Sequence, residues 1–104
     1  MVQILITNKA KKDIKSIYKH IKKDSNQNAE MVAEAIIIKI DSLRLQPDFG
    51  KIVKEFNTPK IRELKLFKFR IIYRINTVFS VEIITVHHSS RLLNNNPHLK
   101  DLFE

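Results

Sequence analysis

Apolar residues in the first half of the chain recur at spacings of three and four, the period of an α-helix. One such stripe lies within residues 7–24 and a second within about residues 28–45. The apolar positions of the first stripe are Ala10, Ile14, Ile17, Tyr18 and Ile21. Residues 2–6 form a short apolar run that predicts a strand, after which Thr7 or Asn8 can cap the first helix. We therefore expect a strand followed by two helices.

The apolar period changes to two after the turn signal at Pro47 and Gly50, which is typical of β-strands. Strands are expected at residues 52–56, 61–66, 68–75 and 78–88, with a tight turn at Asn76 and Thr77. In the third of these, one face carries Phe69, Ile71, Tyr73 and Ile75, and the other carries Lys68, Arg70, Ile72 and Arg74. The aromatic face should meet the helices, so the cations should line the face that the helices leave uncovered.

The same alternation assigns the side chains of the last strand. Phe79, Val81 and Ile83 should join the core, which places Glu82, Ile84, Val86 and His88 on the face of the arginines. His87 and His88 should point to opposite faces, so only one of them can serve a site there. Alternation favours His88.

The predicted fold class is α+β within a single domain, residues 1–104. An N-terminal strand and a two-helix hairpin should pack on one face of a twisted, mainly antiparallel sheet of about four strands. Residues 97–104, from Pro97 onward, predict a short C-terminal helix that docks on its own chain, with docking on a partner as the alternative.

Charge adds an expectation about partners. The chain has 19 Lys and Arg against 11 Asp and Glu, a formal net charge of +8, which favours an anionic partner such as nucleic acid, the ribosome or an acidic protein. The alternative is a basic surface that only maintains solubility, and a solvated polar face is the commoner explanation for the lysines of the first helix. The absence of cysteine excludes disulfides and cysteine-based zinc sites. The N-terminal apolar run is too short for a signal peptide or membrane span, so a cytoplasmic protein is expected.

The cations and histidine predicted on the uncovered face are suited to phosphodiester chemistry. Arginines such as Arg70, Arg74 and Arg91 can hold a scissile phosphate and offset charge in the transition state. His88 could act as a general acid or base near neutral pH. RNA can be cleaved by its own 2′-hydroxyl, so neither a metal nor another cofactor is expected. The same side chains could instead only bind phosphates or carboxylates, and a histidine at a strand end is more often structural.

The order of elements, with Arg70, Ile71, Ile72 and Tyr73 in one strand and Arg91 after the last, resembles the RelE/ParE family of toxins, of the plasmid-stabilisation type. The resemblance covers residues 4–93. It implies a cytoplasmic, growth-arresting toxin neutralised by a cognate antitoxin, in a toxin–antitoxin hetero-oligomer. One branch of the family cleaves messenger RNA in the ribosomal A site, and another inhibits DNA gyrase. Arg70 and Arg91 match arginines that contact the scissile phosphate in the RNA-cleaving branch.

The first hypothesis is therefore a ribosome-dependent, metal-independent endoribonuclease whose partners are the antitoxin, the ribosome and mRNA. Its catalytic residues would be Arg70, His88 and Arg91, and its binding residues would be Arg62, Lys65, Lys68 and Arg74. The alternative is a non-enzymatic inhibitor of DNA gyrase, which is favoured by Glu63 and by the lack of a tyrosine after Arg91. A third hypothesis is a basic nucleic-acid-binding module without activity, which would use the lysine-rich first helix to bind RNA or DNA.

Overall fold

The computed structural model describes residues 1–89. Its helices are α1 (Asn8–Lys22) and α2 (Asn26–Asp41), and a 3₁₀ turn, Ser42–Arg44, extends the second helix. Its strands are β1 (Gln3–Ile6), β2 (Lys51–Ile52), β3 (Ile61–Leu66), β4 (Phe69–Thr77) and β5 (Ser80–His88). Neither helix in this part of the chain has the length and apolar character needed to cross a membrane. Arg91 and the predicted C-terminal helix at residues 97–104 lie outside the described residues.

The sheet has the strand order β1-β5-β4-β3-β2. β1 pairs with β5 in parallel, and the other neighbours pair antiparallel. The predicted α+β class and the two-helix hairpin are confirmed. The sheet has five strands within residues 1–89 rather than about four, because the N-terminal strand adds to one edge.

Side-chain caps define where both helices begin. The hydroxyl of Thr7 accepts a hydrogen bond from the Ala10 amide at 3.1 Å, and that of Ser25 accepts one from the Asn28 amide at 3.1 Å. Each bond satisfies one of the first-turn amides that lack a partner inside the helix. The cap at Ser25 starts α2 at Asn26, two residues earlier than its apolar stripe predicts.

The main core lies between the helices and one face of the sheet. Ile71, Tyr73, Val81 and Ile83 are fully buried there and pack with Ile36 of α2. The predicted assignment of the aromatic face of β4 to the helices is therefore confirmed.

Tyr73 also holds the turn that follows α2. Its buried hydroxyl donates to the Pro47 carbonyl at 2.7 Å and accepts from the Gly50 amide at 2.9 Å. A Cβ at Gly50 would lie 2.7 Å from both the Glu63 carbonyl oxygen and the Tyr73 hydroxyl. Only glycine allows the turn to approach the sheet so closely.

A β-bulge in β5 changes the faces of the last strand. Tyr73 pairs with Ile83 but the preceding residue, Ile72, pairs with Thr85, so Ile84 is an extra residue without a partner across the ladder. Beyond a bulge the alternation of side chains is reversed. Val86 accordingly packs in the helix-side core, and its predicted position beside the arginines is wrong.

The turn before β5 also differs from the one that the sequence predicts. β4 continues to Thr77, and Val78 and Phe79 form the turn rather than Asn76 and Thr77. Phe79 is 75% exposed, so its predicted place in the core is also wrong.

Thr7, which caps α1, and Asp13, in the second turn of that helix, hold the bulge. The Asp13 carboxylate accepts hydrogen bonds from the Val86 amide, at 3.0 Å, and from the Thr85 hydroxyl. The Thr7 hydroxyl donates to the Ile84 carbonyl at 2.9 Å. Lys9 pairs with Asp13 from one turn earlier in the helix. The irregular backbone of the bulge is thus satisfied by the helix that packs on it.

We expect the substitution Asp13→Ala to lower the free energy of unfolding by about 1–3 kcal/mol, because it leaves the Val86 amide without its acceptor. The measurement is a urea unfolding curve. Asp24→Ala is the matched control, because Asp24 is exposed and its substitution removes the same charge. Equal midpoints for the two variants would show that the carboxylate does not stabilise the bulge.

Candidate functional site

The sheet face opposite the helices carries a second, smaller apolar cluster. Its members are Val53, Phe56, Ile61, Ile72 and Ile84. Val53 and Phe56 come from the connection between β2 and β3, which folds over this face. The predicted strand at residues 52–56 is therefore mostly a turn, because the amides of Phe56 and Asn57 both donate to the Val53 carbonyl, each at 3.2 Å. The face that the helices leave uncovered is partly covered by this turn.

Arg70 lies on this face between two carboxylates. Its Nε donates to Glu63 Oε2 at 2.8 Å, and its Nη2 contacts the same oxygen. Its Nη1 and Nη2 donate to the two oxygens of Glu55 at 3.2 and 3.3 Å. The side chain of Arg70 is 14% exposed and that of Glu63 is 7% exposed. One guanidinium and two carboxylates give the cluster a formal charge of −1. The sequence predicted a cationic group at this position, and the structure shows an anionic one.

The pKa shifts agree with this pairing. The hydrogen bond from Arg70 lowers the pKa of Glu55 below its usual 4.5. Burial alone would lower the pKa of Arg70, but the hydrogen bonds to Glu55 and Glu63 outweigh that effect and raise it. Both shifts favour the charged forms and so stabilise the pair.

His87, and not His88, shares the face of Arg70. The two residues are direct partners in the β4–β5 ladder, and His87 is 5% exposed. Its proximity also contributes to the lowered pKa of Glu55. Sequence reasoning missed His87 because it assumed unbroken alternation. The adjacent isoleucines Ile83 and Ile84 do not signal a bulge, because Ile71 and Ile72 also occupy opposite faces, at a point where β4 has no extra residue.

His88 lies on the helix side of the sheet, which corrects its predicted place beside the arginines. It is opposite Phe69, and the two rings meet edge to face with centroids 5.7 Å apart. There it lines a cavity of about 800 Å³ between α1, the start of α2 and the β3–β4 turn, together with Lys68 of that turn. His88 and Arg70 are therefore separated by the sheet.

The remaining predicted binding residues occupy different surroundings. Arg74 shares the face of Arg70 and pairs with Glu82 at 2.9 Å. Arg62 donates to the carbonyl oxygens of Pro59, Asp48 and Gly50, at 2.9, 3.2 and 3.0 Å. Arg62 therefore braces the turns around β2. Lys65 is exposed and lies directly opposite Arg70 in the β3–β4 ladder. Lys68 is exposed in the β3–β4 turn.

The structure thus brings together Arg70, Arg74 and Lys65 on one face, and it places Arg62, Lys68 and His88 elsewhere. Within residues 1–89, no three histidine, aspartate or glutamate side chains are grouped in a way that could hold a metal ion.

A two-helix hairpin on one face of the sheet and the arginines of β4 on the other face agree with the architecture that the RelE/ParE resemblance implies. The sequence model of one family, the ParE toxin of the type II toxin–antitoxin system parDE, matches residues 4–93. The chain belongs to this family. The predicted resemblance is confirmed at that level, whereas the plasmid-stabilisation type stays a prediction.

A solved structure supports the fold. One chain of the structure described as the chromosomal ParDE TA system from P. aeruginosa superposes with a TM-score of 0.70. The match covers 85% of this chain and 96% of that chain, with 21% sequence identity. The chain matches no curated protein sequence.

We expect Arg70→Ala to destabilise the protein by about 3 kcal/mol, because it leaves the buried Glu63 carboxylate without its partner. The double variant Arg70→Gln/Glu63→Gln should lose clearly less than the sum of its own single variants, Arg70→Gln and Glu63→Gln, since no unpaired buried charge remains in the pair. Urea unfolding curves measure the free energy of unfolding of the single and double variants. Arg74→Gln is the control, because the more exposed pair with Glu82 should contribute about 0–1 kcal/mol. Additive losses in the double variant would contradict the pairing.

Glu55 should make stability depend on pH. Since its folded pKa is lowered, its contribution is present above the usual value of 4.5 and is lost as the pH falls through the folded pKa. The urea midpoints of the native protein and Glu55→Gln should therefore differ at pH 7 and converge in acid. Glu30→Gln, an exposed change of the same charge on α2, should follow the native curve at all pH values. A constant gap between native protein and Glu55→Gln would contradict the assignment.

Proposed function

We propose that this toxin arrests growth by inhibiting DNA gyrase without catalysing a reaction, and that a cognate antitoxin neutralises it. Membership of the ParE family supports this target, because inhibition of gyrase belongs to the ParE-type side of the resemblance. The proposal replaces the ribosome-dependent cleavage of mRNA that was the first hypothesis from the sequence.

The observation that carries the choice is the state of Arg70. An arginine that stabilises a cleaving phosphate must direct its donors at the phosphate oxygens. Here all three guanidinium nitrogens contact Glu55 or Glu63. A phosphate approaching this cluster would also meet two carboxylates, whose charge repels it.

The histidine gives further support. A general acid or base must lie within hydrogen-bond reach of the proton that it transfers. His88 is on the opposite side of the sheet from Arg70. His87 is on the same side but is 5% exposed, which restricts its access to a substrate as large as a ribosome-bound message.

An exposed apolar surface on α2 supports a protein partner. Ile37 and Ile38 are 48 and 62% exposed, and Met31, earlier in the same helix, is 54% exposed. Ile37 and Ile38 line a groove of about 270 Å³ between α2 and β1, to which β1 contributes Ile4 and Ile6. An exposed apolar groove of this kind marks a site of interaction with another protein. The antitoxin is the partner that we propose for it.

Two parallel reactions test the target. Purified toxin should inhibit supercoiling by purified gyrase, and it should leave message ends unchanged in a reconstituted translation reaction mapped by primer extension. The double variant Arg70→Gln/Glu63→Gln should still inhibit gyrase, because the pair acts only in stability. Heat-denatured toxin is the control for nonspecific effects.

The opposite pair of results would overturn the proposal. Normal supercoiling with toxin in excess, together with discrete ribosome-dependent cuts that the double variant fails to make, would restore Arg70 to a catalytic role.

A further inference from the structure

The outer side of α1 carries six lysines, which we call the lysine face. They are Lys11, Lys12, Lys15, Lys19, Lys22 and Lys23, and all six are exposed. At 3.6 residues per turn these positions fall within an arc of about 120°. The buried stripe that includes Ala10, Ile14 and Ile17 lies on the opposite side of the helix. With a rise of 1.5 Å per residue, the face is about 18 Å long.

Nothing in the described chain neutralises this charge. The only acidic residue in α1, Asp13, pairs with Lys9, which lies outside the lysine face. None of the six lysines has a carboxylate within 4.0 Å among residues 1–89, where the ion pairs involve other side chains. Lys22 has one neighbour of note, the ring of Tyr18, with its Nζ 5.6 Å from the ring centre.

This arrangement is unfavourable for the helix alone. Lys11, Lys15 and Lys19 follow one another at spacings of four, where like charges on a helix repel. A face that only served solubility could alternate positive and negative residues and avoid this repulsion. The repulsion is relieved when a polyanion lies along the face.

We propose that the lysine face binds the phosphate backbone of double-stranded DNA without reading its sequence. Duplex DNA carries about one charge per 1.7 Å of its axis, so a face about 18 Å long meets several phosphates. Lysine is a flexible point charge that suits phosphate contacts, which position a protein but do not specify bases. Single strands are bound with a series of aromatic stacking platforms, whereas the lysine face has one aromatic neighbour within residues 1–89, Tyr18 at its edge.

The biological setting of this inference rests on the proposed function. Gyrase holds duplex DNA, so a toxin that contacts both would be retained on the enzyme while its DNA is bound. The binding of DNA itself requires no gyrase and is measured without it.

Fluorescence anisotropy with a labelled duplex of random sequence, between 50 and 200 mM salt, tests the proposal. The variant Lys11→Gln/Lys15→Gln/Lys19→Gln should reduce the slope of log affinity against log salt by about 2 to 3, since each lost phosphate contact removes about 0.9. Glutamine and lysine have similar helix propensities, so the helix should be retained. Lys51→Gln/Lys54→Gln/Lys60→Gln removes the same charge from exposed positions around β2 and should leave the slope nearly unchanged.

Three results would overturn the proposal: equal effects of the two triple variants, tighter binding to single-stranded RNA or to anionic vesicles than to the duplex, or no binding by the native protein at 50 mM salt. The supercoiling assay separates this inference from the proposed function. Duplex binding that follows the lysine face, with normal supercoiling, would reject gyrase as the target and retain the DNA site. Equal inhibition of gyrase by both triple variants, without duplex binding, would retain gyrase as the target and reject the DNA site.

Discussion

The Asp13 carboxylate connects the first helix to the irregular part of the last strand, and the two faces of the sheet depend on that contact. It accepts from the amide of Val86 and the hydroxyl of Thr85, just beyond the extra residue Ile84. Without an acceptor there, the bulge would leave a buried amide unsatisfied. A regular β5 would turn Val86 out of the core. The bulge therefore determines which histidine faces the arginines.

The second constraint is the pairing of Arg70. Glu63 reaches it from the neighbouring strand, while Glu55 reaches it from the turn after β2. Because Glu63 is buried, removal of the arginine would leave an unpaired charge inside the protein. A residue that the family resemblance associates with RNA cleavage here connects the β2–β3 turn to the sheet. This structural use of the guanidinium is the observation on which the proposed inhibition of gyrase, rather than RNA cleavage, rests.

Most of the architecture could be predicted from the period of the apolar residues. The stripe through Ala10 and Ile14 and the alternation from Phe69 to Ile75 each extend over several residues, so one irregular position does not hide them. The bulge could not be predicted in this way, because a single inserted residue reverses every later assignment, including that of His88. The partners of Arg70 were equally hidden. Glu55 belongs to a turn that the apolar pattern presented as a strand, and its distance from Arg70 depends on the tertiary fold.

The cations of the sheet and of α1, all in the described part of the chain, are of two kinds: those paired within the fold and those that face the solvent without a carboxylate partner. Arg70 and Arg74 are close to carboxylates, and Arg62 is close to backbone carbonyls, so these cations are used within the fold. The lysines on the outer side of α1 have no such partners in the described chain, and their charge extends into the solvent. An anionic partner gains most from charge that is not already neutralised. The first hypothesis from the sequence placed the functional charge on the strands, because arginine there resembled a catalytic motif, and only the third hypothesis placed it on the first helix. The contacts instead favour the helix as the surface that meets a polyanion.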